Sequence, residues 1–109
     1  MRVLDFKVYR QTIECDPNCD FTGIAPGTRG YLSARFRFST EWRGCKRVAI
    51  FTCRGKEYPT PIINGACVIP FEALLGNTVE VAVIGQCDSY RITTNKTSFK
   101  QEGHVYGNG

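Results

Sequence analysis

Six cysteines and one histidine are the residues of this chain best equipped for chemistry, and their spacing decides which chemistry is open. Cys15 and Cys19 bracket Asp16-Pro17-Asn18, a spacing within the range of two-ligand zinc knuckles, around a Pro-Asn centre that favours a tight turn. A structural zinc takes four ligands, and neither His104 nor a second closely spaced cysteine pair stands at an obvious distance to complete the set. Cys15 and Cys19 are thus half of a metal site; they could equally close a local disulfide or stand as two free thiols on a loop. Cys53, Cys67 and Cys87 fall in or beside apolar strand patterns, where free cysteine behaves as a small hydrophobe. With Cys45 they make an even number, which a short secreted domain would oxidise, but no secretory signal core is seen in Met1-Arg2-Val3-Leu4-Asp5-Phe6-Lys7. The expectation is that most of the six are reduced.

Nucleophilic and acid–base chemistry find little footing. No serine or cysteine beside His104 forms a nucleophile–base pair. Glu41, Glu57, Glu72 and Glu80 fall on turns, a short helix and an exposed strand face, with no pattern that brings two carboxylates together. Gly23, Gly27 and Gly30 are interrupted by Pro26 and lead into no helix, so no phosphate loop or dinucleotide fingerprint is formed. No catalytic residue, cofactor or metal is assigned. Trp42, the single tryptophan, could serve as a sugar-stacking platform or as a lid over the core, and the strand-turn-strand setting favours the lid.

The elements around these residues read as strands. Leu4, Phe6 and Val8 alternate with polar neighbours over residues 2–9; Leu32, Ala34, Phe36 and Phe38 do so over 31–38. Residues 46–53 are apolar on both faces at the centre, as suits an internal strand. Arg54-Gly55 turns the chain toward Tyr58, and Pro59 and Pro61 confine the stretch that contains them to a sheet edge. Asn64-Gly65 marks a two-residue hairpin turn. Pro70 through Leu75, closed by Gly76, reads as a short helix that plugs one open end, and 78–84 and 90–94 as the last strand pair. Residues 10–30 are dense in turn formers, with at most a short strand near 20–24, and Ser39 is placed to cap the turn that carries Trp42. The expected architecture is all-β: an Ig-like antiparallel sandwich of about seven strands with one short helix near 70–75, one domain over 1–102 and a flexible tail over 103–109.

Size and charge agree with this. A chain of 109 residues with 42% hydrophobic content and seven phenylalanines can bury one core but has no room for a second. The net charge of +4 is spread along the chain, too thin for a nucleic-acid face; Arg29, Arg35, Arg37, Arg43, Lys46 and Arg47 form its richest segment and read as a solvated strand face. No apolar run approaches the length of about 18 residues that spans a membrane.

The order Phe36-x-Phe38-Ser39-x-x-Trp42-x-Gly44, Lys46-x-x-Ala49-x-Phe51, Cys67-x-Ile69-Pro70-x-Glu72-x-Leu74, Val83-x-Gly85 and Arg91-Ile92-Thr93-Thr94 resembles the N-terminal module of tailed-phage upper-baseplate proteins and related head-fibre and decoration proteins. The resemblance covers about residues 30–95 and implies a non-enzymatic β-sandwich attachment unit of the virion, made in the host bacterial cytoplasm. It implies a core of Phe36, Phe38, Trp42, Ala49, Phe51, Ile69, Leu74 and Val83. Partners would be other virion proteins, the major capsid or tail and baseplate proteins, met in many copies, with no nucleic acid and no membrane. In related proteins a fibre or host-binding region comes after the module, whereas here the sequence stops, so a capsid decoration, head-fibre or attachment subunit is the first expectation and a tail, baseplate or neck adaptor the second. Contacts with neighbours are expected at 15–30 and 100–109, with Cys15, Asp16, Pro17, Asn18, Cys19, Arg29, His104 and Tyr106 in the interface and both segments ordering on docking. A zinc-stabilised adaptor, and a secreted disulfide-bonded carbohydrate-binding module using Trp42, Tyr31 and Tyr58, are the other classes.

Overall fold

The computed structural model describes residues 1–103. Nine strands succeed one another among the described residues: β1 (Arg2–Tyr9), β2 (Thr12–Cys15), β3 (Leu32–Phe38), β4 (Lys46–Cys53), β5 (Lys56–Ile62), β6 (Ala66–Val68), β7 (Thr78–Gln86), β8 (Arg91–Thr93) and β9 (Thr97–Lys100). They form two packed sheets, one in the order β2-β1-β3-β6 and one in the order β5-β4-β7-β8, with β9 also pairing to β7. All pairings are antiparallel except β1 with β3, which run parallel with Phe6 opposite Phe36.

Alternation builds the interior. Leu4, Phe6 and Val8 of β1 and Leu32, Ala34 and Phe36 of β3 face Ala49, Phe51 and Cys53 of β4 and Val79, Val81 and Val83 of β7, all buried. The Phe6 and Phe36 rings stack with centroids 5.3 Å apart. Of the core named from sequence, Phe36, Trp42, Ala49, Phe51, Ile69, Leu74 and Val83 are buried, and Phe38 is partly buried against the same cluster.

About seven strands are expected from sequence, and nine form among the described residues. The two extra ones, β2 and β9, pack against each other's edge and close one open side between the sheets: Asn95 Oδ1 accepts the Ile13 N–H, and the Asn95 N–H reaches the Gln11 carbonyl. Residues 20–24 form no strand. The opposite side is closed by the Asn64-Gly65 turn, where both residues take positive φ (53° and 78°) as a type I′ hairpin turn demands. Its arms pair only at Ile63 and Ala66 and then part, β5 to one sheet and β6 to the other.

The helix expected near 70–75 is a single 3-10 turn, Phe71–Leu74, with Pro70 just ahead of it. It does plug the sandwich, for Ala73 and Leu74 are fully buried. Gly76 is required there by crowding, since a Cβ on it would lie 2.8 Å from Cys53 Sγ. Of the tail assigned to 103–109, only Gly103 lies within the described residues; His104 and Tyr106 lie outside them.

Candidate interaction surface

The 16–31 connection between β2 and β3 is irregular yet firmly held. Asp16, expected at an interface, is buried, and its Oδ1 accepts the Asn18 N–H at 2.9 Å while its carbonyl accepts the Cys19 N–H at 2.9 Å. Its carboxylate also meets Lys7 Nζ at 4.0 Å. Pro17 and Asn18 are exposed at the tip of that turn. Farther along, Ile24 and Pro26 are buried, the Gly27 N–H donates to the Leu74 carbonyl, and the Arg2 guanidinium donates to the carbonyls of Asp20 (2.9 Å) and Thr22 (2.7 Å). The Thr22 hydroxyl and N–H both bond the Asp20 carboxylate and hold it below the usual range. Ordering of this segment on docking is therefore corrected to a preformed shape. Arg29 is not a free cation either, because its guanidinium lies 3.8 Å from the centre of the Phe71 ring.

Two segments far apart in sequence meet at this end. Glu102 donates its N–H to the Ile24 carbonyl at 2.7 Å and accepts the Gly23 N–H on its carboxylate at 2.8 Å. Beside them lies an apolar patch on the outer face of the first sheet: Val3 and Val68 flank Ser33 in one row, and Met1 and Tyr31 stand one step along, joined by the Arg2 N–H to the Tyr31 carbonyl. All four side chains are exposed.

Cys15 and Cys19 address different strands. The Cys15 thiol donates to the Ser98 carbonyl at 3.5 Å and contacts the Thr97 hydroxyl, whereas Cys19 Sγ accepts the Asp5 N–H at 3.3 Å. Burial pushes the Cys15 thiol above its ordinary pKa, against the Thr97 hydrogen bond. Cys67, inward-facing on β6, is pushed up to about 12 by burial alone. Among the described residues no group of three or more His, Cys, Asp or Glu side chains could hold a metal ion.

Four of the six cysteines, Cys15, Cys19, Cys53 and Cys67, are free, in line with the expectation for most of them, while Cys45 and Cys87 form a disulfide. Cys87 follows β7 and Cys45 precedes β4, so the bond clips the start of one strand to the end of its antiparallel neighbour, next to the Lys46–Gln86 pair. Nothing in the spacing of six cysteines singles out this pair; only the register of β4 on β7 does.

The same corner holds Trp42. It is fully buried, its indole N–H donates to the Arg10 carbonyl at 2.9 Å, and it packs flat enough on Gly85 that a Cβ there would lie 2.8 Å from two ring carbons. It is a lid, as expected, and offers no sugar platform; Tyr58 packs on the core, and exposed Tyr31 precedes β3 of the other sheet. Ser39 does not cap the turn, since its Oγ accepts the Arg10 N–H instead. Arg47, expected on a solvated face, points inward, donating to the Trp42 carbonyl at 2.6 Å and lying over the Phe38 ring. Arg35 is paired with Asp5 at 2.6 Å. With Arg29 on Phe71, half of the basic segment is thus committed within the fold.

No protein-family model matches this sequence, and no curated protein matches it either.

Proposed function

We propose that the chain is a non-enzymatic structural subunit of a tailed-phage virion, a capsid decoration, head-fibre or attachment protein that docks on repeated sites of the particle. The observation that carries this reading is that the segments expected to touch neighbours, 15–30 and 100–109, are joined where Gly23 and Ile24 bond Glu102, beside exposed Met1, Val3, Tyr31 and Val68. A preformed end of this kind binds without the entropic cost of ordering a loop. Repetition of identical sites on a symmetric shell then multiplies a modest single-site affinity.

The resemblance adds support because its apolar residues lie together: Phe38 packs on Trp42 at 5.3 Å, Trp42 on Gly85, and Ala49, Phe51, Ile69, Leu74 and Val83 in the adjoining core. An apolar signature of this kind describes a scaffold, which leaves recognition to the surface. The test is imaging of intact virions carrying a labelled copy of this chain. Density at many symmetry-related positions is expected, with occupancy reduced by Tyr31→Glu and Val68→Glu together; particles that lack the label entirely overturn the reading, and its position separates shell from neck, tail or baseplate.

A further inference from the structure

The outer face of the second sheet carries an apolar stretch that the fold leaves partly uncovered. Register sets Pro61, Val48 and Ile84 in one cross-strand row and Pro59, Ile50 and Ala82 in the next. Because Ala49, Phe51, Val81 and Val83 fill the interior, these alternating residues point away from it, and Val48, Ile50, Ala82 and Ile84 stay partly exposed. Apolarity on both sides of β4 reads in sequence as a strand internal to its sheet, which it is; its second apolar side meets no other element among the described residues. A shallow groove of about 470 Å³, lined in part by Val48, Pro61 and Ile63, continues the face at the end near Asn64.

Charge divides this face by sign. At one end stands the row Lys46–Gln86–Arg91, and at the other the row Glu57–Thr52–Glu80, six residues or about 20 Å away along β4. Lys100 stands one step beyond Glu80, opposite Thr78. The ion pairs of the described residues, Lys7–Asp16, Arg10–Glu41 and Arg35–Asp5, use none of these five side chains.

We infer that this face pairs with the same face of a second copy of the chain, in a twofold dimer whose axis lies between the sheets and across the strands. That operation lays the two apolar rows of one copy on those of the other and sets Lys46 and Arg91 over the second copy's acidic row, twice. A twofold along the strands would oppose like charges. Edge-to-edge pairing through β5 is disfavoured, because Pro59 and Pro61 leave two positions of that edge without an N–H donor. The two sheets would stack about 10 Å apart with strands inclined about 30°. The contact, about 20 Å by about 15 Å, is small against the roughly 800 Å² per partner of a standard interface, so the dimer is weak and forms only at high concentration. It is a property of the isolated chain and does not depend on the virion reading.

Sedimentation velocity of the full chain from about 5 µM to about 1 mM tests this, with a monomer at the dilute end and a dimer at the concentrated end. Ile84→Lys, on an outward position that leaves the core intact, abolishes the dimer while circular dichroism keeps the native β signal. Lys46→Glu with Arg91→Glu weakens it at least about tenfold, and adding Glu57→Lys with Glu80→Lys restores it to within about threefold. A monomer throughout the range, a dimer indifferent to Ile84→Lys, or a failed rescue by the fourfold charge reversal overturns the inference.

Discussion

Removing the Cys45–Cys87 bond, by reductant or by Cys45→Ala with Cys87→Ala, is the perturbation whose size comes most directly from the structure. The residues are 42 apart in sequence, so the bond closes a loop spanning β4, β5, β6 and β7. The loop-entropy relation assigns such a closure about 4 kcal/mol of destabilised unfolded chain. Unfolding entropy for a chain of 109 residues is about 230 cal/mol/K, which converts that energy to a fall in Tm of about 15–20 °C. The assay is calorimetry of the oxidised protein, the reduced protein and the double variant, alongside thiol alkylation in denaturant, where four of six cysteines should label before reduction and all six after. Coincident melting curves for the three samples, or six labelled thiols in unreduced protein, refute the reasoning.

Two single side chains give further expected outcomes. Gly85→Ala drives a methyl into the Trp42 ring at 2.8 Å, against a lid that the disulfide and the Arg47 bonds hold in place; we expect a loss of about 1–3 kcal/mol by urea unfolding, with recovery in part when Trp42→Leu is added. Cys67 supplies a pH signature. Its folded pKa of about 12 stands above the ordinary thiol value of 9.0, so its contribution to stability is complete below about pH 9 and is lost as pH rises toward 12. Wild type should therefore lose more stability than Cys67→Ala between those values, and Cys67 should alkylate far more slowly at pH 8 than an exposed thiol; parallel alkaline profiles would contradict this.

Legibility in the sequence depended on how many residues carried each signal. β1, β3, β4 and β7 each repeat an apolar residue three or more times with period two, and all were evident. β2 and β9 each contribute one buried apolar residue, Ile13 and Phe99, over four positions, too few for periodicity to speak. Their existence is decided by tertiary contact, and the turn before β2 hides because Arg10, rather than Asn or Gly, takes the positive φ of 54°. Asn64-Gly65 was legible because both residues state the backbone they need, and Arg54-Gly55 through Gly55 alone, since Arg54 takes the same kind of positive φ (55°) as Arg10. The candidate site was half legible: turn-former density marked 10–30, but nothing local revealed that Asp16 would bury and Glu102 would tie the segment down. The disulfide was hidden for the same reason, since pairing of Cys45 with Cys87 is a consequence of register.

The mutual cover of β2 and β9 has a cost during synthesis. The β1–β2 hairpin leaves the ribosome well before the residues that shield its far edge, Asn95 to Ser98. Until then the nascent chain carries an unguarded strand border, the kind of template on which extended polypeptides nucleate one another. Chains that terminate prematurely just before Asn95 would not be smaller sandwiches; they would be seeds for precipitation, and expression of this protein should be sensitive to how quickly the codons for β9 are translated.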